Sequence, residues 1–556
     1  MLPNQNCMNK LNTHISKLFS IRNRYEKQFA AEKIQLLNTI NIKTIKSKKE
    51  LQSCYSALLF LMAYPDNKTI YNLANKLLSE LQLHVQLNKK LQRGLYNTGI
   101  TQTYICAAFS FEMVKWLRKT RREEIKLSSF EAADAQIQSI LSVVMPKAES
   151  EILQDANAVW KGWFKHLKRK DEDLLDQLIA VFDSSDIRPE VKDELWNVIG
   201  MNVEINFTSH CCLPASLTKF YFHRSLIKKQ IKKQTPVVKP VQIKLTENEA
   251  EQIIDCSRMI LVRKLRELDP ISFTATKLVS YYHLPRGISI VLMGMVAERR
   301  HPIDSYMGYL VFKNGLPVAY AGSWILFDSA RIGLNVFADY RGGEARYIFD
   351  QVLQLHSKVY HLKRFTVDPY QIGKQNDDGI HSGAFWIYYH AGFRPLQKLQ
   401  KELAATEYLK IKTNKNYRSP ESTLKILADS RLELILKKSA VSFDATDLSR
   451  AYAGILTQKY NGNRKKAEKD GVKKLANMLQ LKNYQEENLH FILKNWAILL
   501  LSKEKELYDN NPLKKTLKKL FVLKANNSEE VYITTLQQAA GLRKFIEELV
   551  KEFVAD

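Results

Sequence analysis

The segment ARIGLNVFADYRGGEARYIFDQVLQLHSKVY, residues 330–360, changes its residue pattern twice. Its first part, ARIGLNVF, is a short apolar run that predicts a strand. The glycine pair in RGGEA then predicts a tight turn. In RYIFDQVLQLHSKVY the apolar residues recur at helical spacing. We therefore expect a strand that turns directly into a helix.

The sequence around this segment predicts a domain with a mixed sheet over residues 241–400. Before the segment lie a strand candidate, VQIKL, a long amphipathic helix, and the apolar runs GISIVLMGMVAE and MGYLVFKNGLPVAYAGSWILF. The second run contains Asn314-Gly315, a strong hairpin signal. After the segment come a strand, KRFTVDPY, and the aromatic stretch HSGAFWIYYHAGFRPL, 381–396, which predicts a helix ended by Gly392. This order predicts an α/β (α+β) domain.

Residues 1–240 and 401–556 predict two mostly helical domains that flank the sheet. Apolar residues recur at helical spacing in IYNLANKLLSELQLHVQL, and a short β-prone piece, NVEINF, interrupts the helical series. A basic, proline-punctuated linker ends the first domain near residue 240. In the last domain we expect one buried helix face, made of Leu489, Ile492, Leu493, Trp496 and Leu500.

The composition is that of a folded globular protein with an unusual charge. Of the 556 residues, 45% are hydrophobic, which is enough for real cores. The net charge of +26 lies mostly in the flanks and fits either an anionic partner or a lysine-rich background. The six cysteines form no C-x-x-C pair or zinc-spaced cluster, so we expect no metal site and a reducing, cytoplasmic location. The longest apolar runs are far shorter than the ~20 residues that span a bilayer.

The strand-turn-helix junction carries a recognisable motif, VFADYRGGEAR, residues 336–346. It resembles the pattern V-x-P-E-Y-R-G-x-G-x-G of the GNAT superfamily of acyl-CoA-dependent N-acyltransferases. The residues that fit are Val336, Asp339 (for glutamate), Tyr340, Arg341 and Gly342.

The aromatic stretch resembles a second pattern of the same family, N-x-x-A-x-x-x-Y-x-x-x-G-F. The residues that fit are Ala384, Tyr388, Gly392 and Phe393, with His381 in the place of the asparagine. The two motifs follow each other in the family's order. The resemblance covers about 241–400 and implies a GNAT-like fold, in which the strands near 331–338 and 363–368 are neighbours that splay apart.

The resemblance also implies a reaction and a donor. In the family an amine attacks the thioester of an acyl-CoA, a tyrosine protonates the leaving thiolate, and the donor's diphosphate lies at a helix N-terminus, where N–H groups and the helix dipole favour an anion. By motif position the acid is Tyr388. The donor-binding residues are Val336, Ala338, Tyr340, Arg341, Gly342, Gly343 and Ala345.

The diphosphate loop departs from the family pattern. Without a gap, Glu344 and Arg346 stand at the two usual glycine positions, and a carboxylate there would repel a diphosphate. A shift of one residue puts Gly343 and Ala345 at those positions but leaves Tyr340 at the usual glutamine or arginine position. The loop is therefore remodelled, the donor differs, or donor binding is lost.

The polar insert TVDPYQIGKQNDDGIH, between strand and helix, occupies the position where the family places groups that face the acceptor. Asp368 ends the strand and is our candidate general base, with a turn residue before proline as the plainer interpretation. Four further residues are candidates for an acceptor pocket, although each also fits a loop or capping role: Tyr370, Gln371, Asn376 and His381.

Basic clusters in the flanks support a different class of function. They comprise Lys514, Lys515, Lys518 and Lys519; Lys228, Lys229, Lys232 and Lys233; and Lys165, Lys168, Arg169 and Lys170. Solvated helix faces explain each of them. Together they are consistent with two alternative functions: a nucleic-acid-binding protein with a degenerate acyltransferase core, or a transferase that takes its acyl group from aminoacyl-tRNA.

For the acyltransferase, the acceptor is expected to be a small-molecule or protein amine.

Overall fold

A computed structural model describes residues 14–154, 159–166, 172–209, 211–227, 240–414, 416–437 and 441–554. The chain divides into two compact units. The first comprises Met1–Ser225, Gln252–Ser272 and Lys313–Pro317, and the second comprises Leu226–Glu251, Phe273–Phe312 and Val318–Asp556. Apart from Lys313–Pro317, the chain from Phe273 onwards thus belongs to one unit, which includes the C-terminal helices. The basic cluster at 228–233 and residues 168–170 of another lie outside the described residues.

The first unit is mainly helical. Its helices are α1 (14–21), α2 (Lys27–Thr39), α3 (Lys48–Ala63), α4 (Lys68–Gln86), α5 (Lys89–Gly94), α6 (Phe111–Thr120), α7 (Asp134–Val144), α8 (Lys147–Ser150), α9 (Trp160–His166), α10 (Leu174–Ser184), α11 (Pro189–Ile199), α12 (Glu247–Arg263, which begins in the second unit) and α13 (Asp269–Ser272). Its strands are β1 (Tyr104–Ala108), β2 (Ile125–Phe130) and β3 (Met201–Asn206), which form an antiparallel sheet in the order β1-β3-β2. The predicted piece NVEINF is β3, and its two partners were not predicted.

Two buried features hold the first unit together. Around the small sheet, Trp196 is fully buried and its indole N–H donates to the Phe109 carbonyl at 2.9 Å. Gly200 takes the left-handed conformation, φ 57°, which ends α11 and lets β3 begin at the next residue. Elsewhere Lys33 is buried and pairs with Asp66 at 2.8 Å, so that its charge is compensated.

The second unit is built on a ten-stranded mixed sheet. Its strands are β4 (Val241–Ile243), β5 (Val279–His283), β6 (Ile288–Met293), β7 (Ser305–Lys313), β8 (Leu316–Leu326), β9 (Ser329–Ile332), β10 (Asn335–Val336), β11 (Arg364–Val367), β12 (Arg394–Pro395) and β13 (Leu432–Ile435). The order is β12-β13-β11-β9-β8-β7-β6-β5-β4, and β10 pairs with β8. The predicted hairpin is present, because Asn314 and Gly315 both have positive φ between β7 and β8. The expected α/β class is thus confirmed at the level of a mixed sheet with many helices.

The helices of the second unit lie between its later strands and after them. They are α14 (Ala345–Val359), α15 (Pro369–Ile372), α16 (Asp377–His381), α17 (Ala384–His390), α18 (Lys398–Thr413), α19 (Glu421–Leu427), α20 (Ala445–Tyr460), α21 (Arg464–Met478), α22 (Glu487–Leu501), α23 (Glu504–Asp509), α24 (Asn511–Asn526), α25 (Glu529–Gln538) and α26 (Ala540–Val554). Short 3-10 helices occur in both units at Ile42–Thr44, Arg122–Glu124, Glu151–Gln154, Ala215–Leu217, Thr276–Leu278, Ala297–Arg299 and Ala338–Tyr340.

The C-terminal helices share one hydrophobic core with the end of β8. The expected helix face is confirmed, since all five of its residues on α22 are buried. Leu326, the last residue of β8, and Phe327 after it belong to the same cluster of buried side chains. Trp496 donates from its indole N–H to the Pro302 carbonyl at 3.1 Å. The bundle is therefore packed on the sheet by apolar contacts and tied to the segment before β7.

A buried charged pair adds a polar contact at the same place. Lys524 of α24 and Glu529 of α25 are each almost fully buried, and their charged atoms lie 2.7 Å apart. The hydroxyl of Ser305 donates to Glu529 at 2.7 Å, and Lys524 also donates to the Asp304 carbonyl at 2.9 Å. These bonds compensate both charges and fix the start of β7 against the bundle.

Candidate functional site

Strands β9 and β11, which precede the two motifs in the sequence, are parallel neighbours, as predicted. Arg364, Phe365 and Thr366 of β11 pair with Ser329, Ala330 and Arg331 of β9. Beyond Arg331 this pairing stops. The chain continues through Gly333 and Leu334 into β10, which pairs with β8 in the register already set by β9. The gap between the two parallel strands therefore opens at Gly333–Leu334.

Two tyrosine hydroxyls bind the peptide bond at this opening. The Tyr309 hydroxyl, from β7, donates to the Gly333 carbonyl. The amide of Leu334, on the same peptide bond, donates to the Tyr388 hydroxyl at 3.0 Å. Among the described residues this is the one hydrogen-bond partner of Tyr388, so its own hydrogen is not engaged. The structure thus brings the predicted acid to the point where the strands separate.

The aromatic helix α17 places Tyr388 there by packing. Tyr388 is buried, with its ring 5.1 Å from that of Phe349 on α14 and perpendicular to it. Phe385 and Phe393 are also fully buried, whereas Trp386 is half-buried. Gly392, with φ 106°, ends the helix before Phe393. Burial raises the pKa of Tyr388 well above its ordinary value, so the phenol stays protonated at neutral pH.

Gly333 is small because the insert between β11 and α17 lies directly on it. A Cβ atom on Gly333 would come 2.8 Å from the side-chain oxygen of Gln371, on α15. Any larger residue would push this side chain away from the opening. Gln371 is therefore the one of the four predicted acceptor-side residues that the structure brings to the strand break.

The other acceptor-side residues lie around α15 and α16. Asn376 caps α16, since its side-chain oxygen accepts from the Gly379 amide at 3.3 Å and its amide donates to the Tyr370 carbonyl at 2.9 Å. The Tyr370 side chain is 58% exposed, and His381 is exposed at the end of α16. Asn376 thus organises the insert, while Tyr370 and His381 face solvent.

Asp368 lies at the end of β11 in a cluster of charges. Its carboxylate is 3.2 Å from Nη1 of Arg331 and 3.5 Å from Nε of Arg431. Arg431 also pairs with Asp444, the N-cap of α20. The predicted base is therefore held by two guanidinium groups, one from the neighbouring strand β9 and one from the residue before β13. Its role as a base stays a prediction.

The N-terminus of α14 holds the residue that departs from the family pattern. Glu344 stands immediately before Ala345 and its side chain is fully buried. Its carboxylate accepts from Nη2 of Arg286 at 2.6 Å and from the Ile227 amide at 2.9 Å. Arg286 lies in the turn between β5 and β6 and compensates this buried charge. The protein's own carboxylate thus lies beside the helix end where the resemblance implies the donor's diphosphate.

The remaining predicted donor-binding residues surround this helix end. Arg341 forms an ion pair with Asp378 at 2.7 Å, and both side chains are substantially exposed. Gly342 takes φ 88°, and the Gly343 amide donates to the Tyr340 carbonyl at 3.2 Å. Tyr340 is buried, Ala338 is exposed, and Val336 pairs with Ala319 of β8. The turn therefore has the glycine conformation that the motif predicts.

Three residues of this region were missed at the sequence level: Tyr309, Arg286 and Arg431. Each comes from a distant part of the chain and carries no local motif, so only the sheet order reveals it. In the described part of the chain no group of three or more histidine, cysteine or carboxylate residues is arranged to hold a metal ion.

No protein-family model matches the chain, and no significant similarity to a curated protein or to a solved structure was found. Within the described residues no helix combines the length and apolar character required to cross a bilayer.

Proposed function

We propose that the protein is an N-acyltransferase of GNAT type, which transfers an acyl group from an acyl-CoA to an amine. The observation that carries the proposal is the position of the Tyr388 hydroxyl at the opening between the parallel strands β9 and β11. A thioester in this opening would meet a protonated phenol whose hydrogen is available. That is the arrangement required of an acid that protonates a leaving thiolate.

In the proposed reaction the amine nitrogen attacks the thioester carbonyl. The C–N bond forms, the C–S bond breaks, and the Tyr388 hydroxyl gives its proton to the leaving sulfur. Asp368 accepts the proton that the amine loses, and proton exchange with solvent restores both groups. Burial keeps the Tyr388 phenol protonated at neutral pH, so its proton is present when the thiolate forms.

The donor's diphosphate is proposed to bind at the N-terminus of α14. The nearby cations include Arg286, which holds Glu344, Arg341, which holds Asp378, and Arg346 in the first turn of α14. A diphosphate must compete with these two carboxylates for the guanidinium groups. Donor binding is therefore expected to be weaker than at a loop with two glycines, and Glu344→Gln is expected to strengthen it.

A second candidate function takes the acyl group from aminoacyl-tRNA. The specific observation in its favour is the buried Glu344, which occupies the helix end with a negative charge that a coenzyme A donor would have to tolerate. A donor whose acyl group is attached through a ribose ester needs no diphosphate at this position. The same Tyr388 would then protonate the ribose oxygen as it leaves.

Calorimetric titration with acetyl-CoA and longer acyl-CoAs tests the first proposal, followed by release of free coenzyme A thiol in a panel of primary amines. Tyr388→Phe is expected to lower turnover about 10²–10⁴-fold with little change in donor affinity. Tyr389→Phe, at the next residue of the same helix, is the matched control. Arg341→Ala is expected to weaken donor binding by about 1.5–3 kcal/mol.

The outcomes separate the two candidates. If no acyl-CoA binds at millimolar concentration to the wild type or to Glu344→Gln, coenzyme A is excluded as donor. Transfer from aminoacyl-tRNA that depends on Tyr388 would then favour the second candidate. Equal turnover of wild type and Tyr388→Phe would remove Tyr388 from either mechanism.

A further inference from the structure

The exposed lysines of the C-terminal bundle converge on one surface. In helix α21, RKKAEKDGVKKLANM, the buried face consists of Ala467, Gly471, Val472, Leu475 and Ala476. Opposite this face lie Lys466, Lys469 and Lys473, all exposed, with Asp470 as the acidic residue among them. From Lys466 to Lys473 this row is about 10 Å long at 1.5 Å per residue, and Gln480 lies just beyond the end of the helix at Met478.

The basic face of α24 continues the row. Lys514, Lys515, Lys518 and Lys519 lie opposite the buried Leu513, Leu517 and Leu520. Lys518 donates from Nζ to the Gln480 carbonyl at 2.9 Å, which joins the middle of α24 to the residues just beyond α21. The two basic helices, far apart in sequence, therefore meet at Gln480. We call these seven lysines of α21 and α24 the basic platform.

Helix α23 connects the two rows and adds an aromatic ring. Lys474 of α21 pairs with Glu504 of α23 at 2.5 Å, and Lys514 donates to the Tyr508 carbonyl at 2.6 Å. The Tyr508 side chain is 65% exposed, and the Lys514 ammonium lies 5.0 Å from its ring centroid. The platform thus has a large exposed aromatic face at its margin.

Most of the platform charge is uncompensated. Glu468, on the flank of α21, pairs with Lys494, and Glu504 pairs with Lys474. Among the described residues, the side chains of five platform lysines form neither an ion pair nor a hydrogen bond, whereas Lys514 and Lys518 donate only to backbone carbonyls. The five are Lys466, Lys469, Lys473, Lys515 and Lys519. Like charges gathered on one face repel each other, and a row of bound anions removes this repulsion.

We propose that the basic platform binds single-stranded nucleic acid, with phosphates along the lysine rows and a base stacked on Tyr508. Five cations along two helices match a chain of regularly spaced phosphates, and an exposed aromatic ring offers a stacking face that the bases of an open strand can reach. The residues between the lysines, Asp470, Asn477 and Gln480, are polar. They provide no apolar wedge of the kind that anchors a helix in a membrane surface.

The proposal is independent of acyl transfer and is tested without it. The probe is a fluorescein-labelled oligouridine of twenty nucleotides, and its anisotropy is measured with the full-length protein. With five phosphate contacts, a single strand gives a slope of about −3.5 for log K against log salt, or roughly a 10²-fold loss of affinity between 50 and 200 mM.

Two variants of equal charge separate the platform from the overall charge of the protein. The platform variant carries Lys469→Gln, Lys473→Gln, Lys515→Gln and Lys519→Gln. The control carries Lys89→Gln, Lys90→Gln, Lys398→Gln and Lys401→Gln, which are exposed lysines outside the platform. We expect the platform variant to reduce the slope to about −0.7, while the control keeps the wild-type slope.

Tyr508→Ala tests the stacked base and is expected to weaken binding roughly 5- to 150-fold without changing the salt slope. Equal binding by the platform and control variants would overturn the proposal, as would wild-type affinity that does not depend on salt. Binding to vesicles rich in phosphatidylserine through the same lysines, without binding to oligouridine, would assign the platform to a membrane surface instead. Unchanged melting temperatures confirm that the variants are folded.

Discussion

The two tyrosines at the strand break make an energetic prediction that needs no substrate. Tyr388→Phe removes the acceptor of the Leu334 amide and leaves this group without its partner. Loss of a hydrogen bond to a buried backbone group costs about 1–3 kcal/mol. If the opening of this segment controls exchange, the Leu334 amide should exchange with deuterium roughly 5- to 150-fold faster in the variant.

The matched perturbation is Tyr309→Phe, which removes the donor to the carbonyl of the same peptide bond. Because both hydroxyls orient one peptide, we expect the double variant to lose less than the sum of the single losses, with an interaction energy of about 0.5–3 kcal/mol. Urea unfolding of the wild type, the two single variants and the double variant measures this interaction energy. Hydrogen exchange of the peptide that contains Leu334 shows whether the loss occurs at this site. Strictly additive losses, or unchanged exchange in Tyr388→Phe, would refute the reasoning, and Tyr389→Phe serves as control.

Two further predictions concern the stability of the second unit. Trp496→Ala removes a fully buried ring from the C-terminal core and is expected to destabilise the protein by about 3–5 kcal/mol, whereas Leu409→Ala, at a side chain that is 61% exposed, should leave the urea midpoint nearly unchanged. Burial lowers the pKa of His356 to about 4, while an unfolded histidine titrates near 6.5. The unfolded state therefore binds the additional proton first, so the free energy of unfolding should fall by about 3 kcal/mol between pH 7 and pH 4 from this residue, a component that His356→Gln should abolish.

The parts of the fold that the sequence predicted are those with local causes. Asn314-Gly315 specifies a hairpin because both residues tolerate positive φ, and the apolar residues of α22 repeat at the period of a helix. Strand β13 was not predicted, since four residues, LELI, give too short a pattern and their burial depends on β11. Strands β1 and β2 were missed because their burial does not alternate regularly along the strand, as that of β3 does.

In the candidate site, too, the residues of one local motif were predicted, whereas their partners from distant parts of the chain were not. Tyr388 and Gly392 lie in one contiguous motif, and the sequence was enough to relate them to each other and to the preceding strand. The partners of Glu344 and of the Gly333–Leu334 peptide could not be predicted, because Arg286 and Tyr309 reach them through the order of the strands. Pairing between distant residues has no signature in a single sequence.

The position of β13 in the sheet has a consequence during synthesis of the chain. Strand β11 leaves the ribosome well before its antiparallel neighbour β13, because helices α15 to α19 lie between the two strands in the sequence. Until Ile435 has emerged, one side of β11 is an open edge that other chains can join. Arg364, which pairs with Glu433 at 2.6 Å in the finished sheet, places a charge on that edge in the meantime. A nascent chain of which the residues up to 425 have emerged should therefore associate more readily than one of which Ile435 has also emerged.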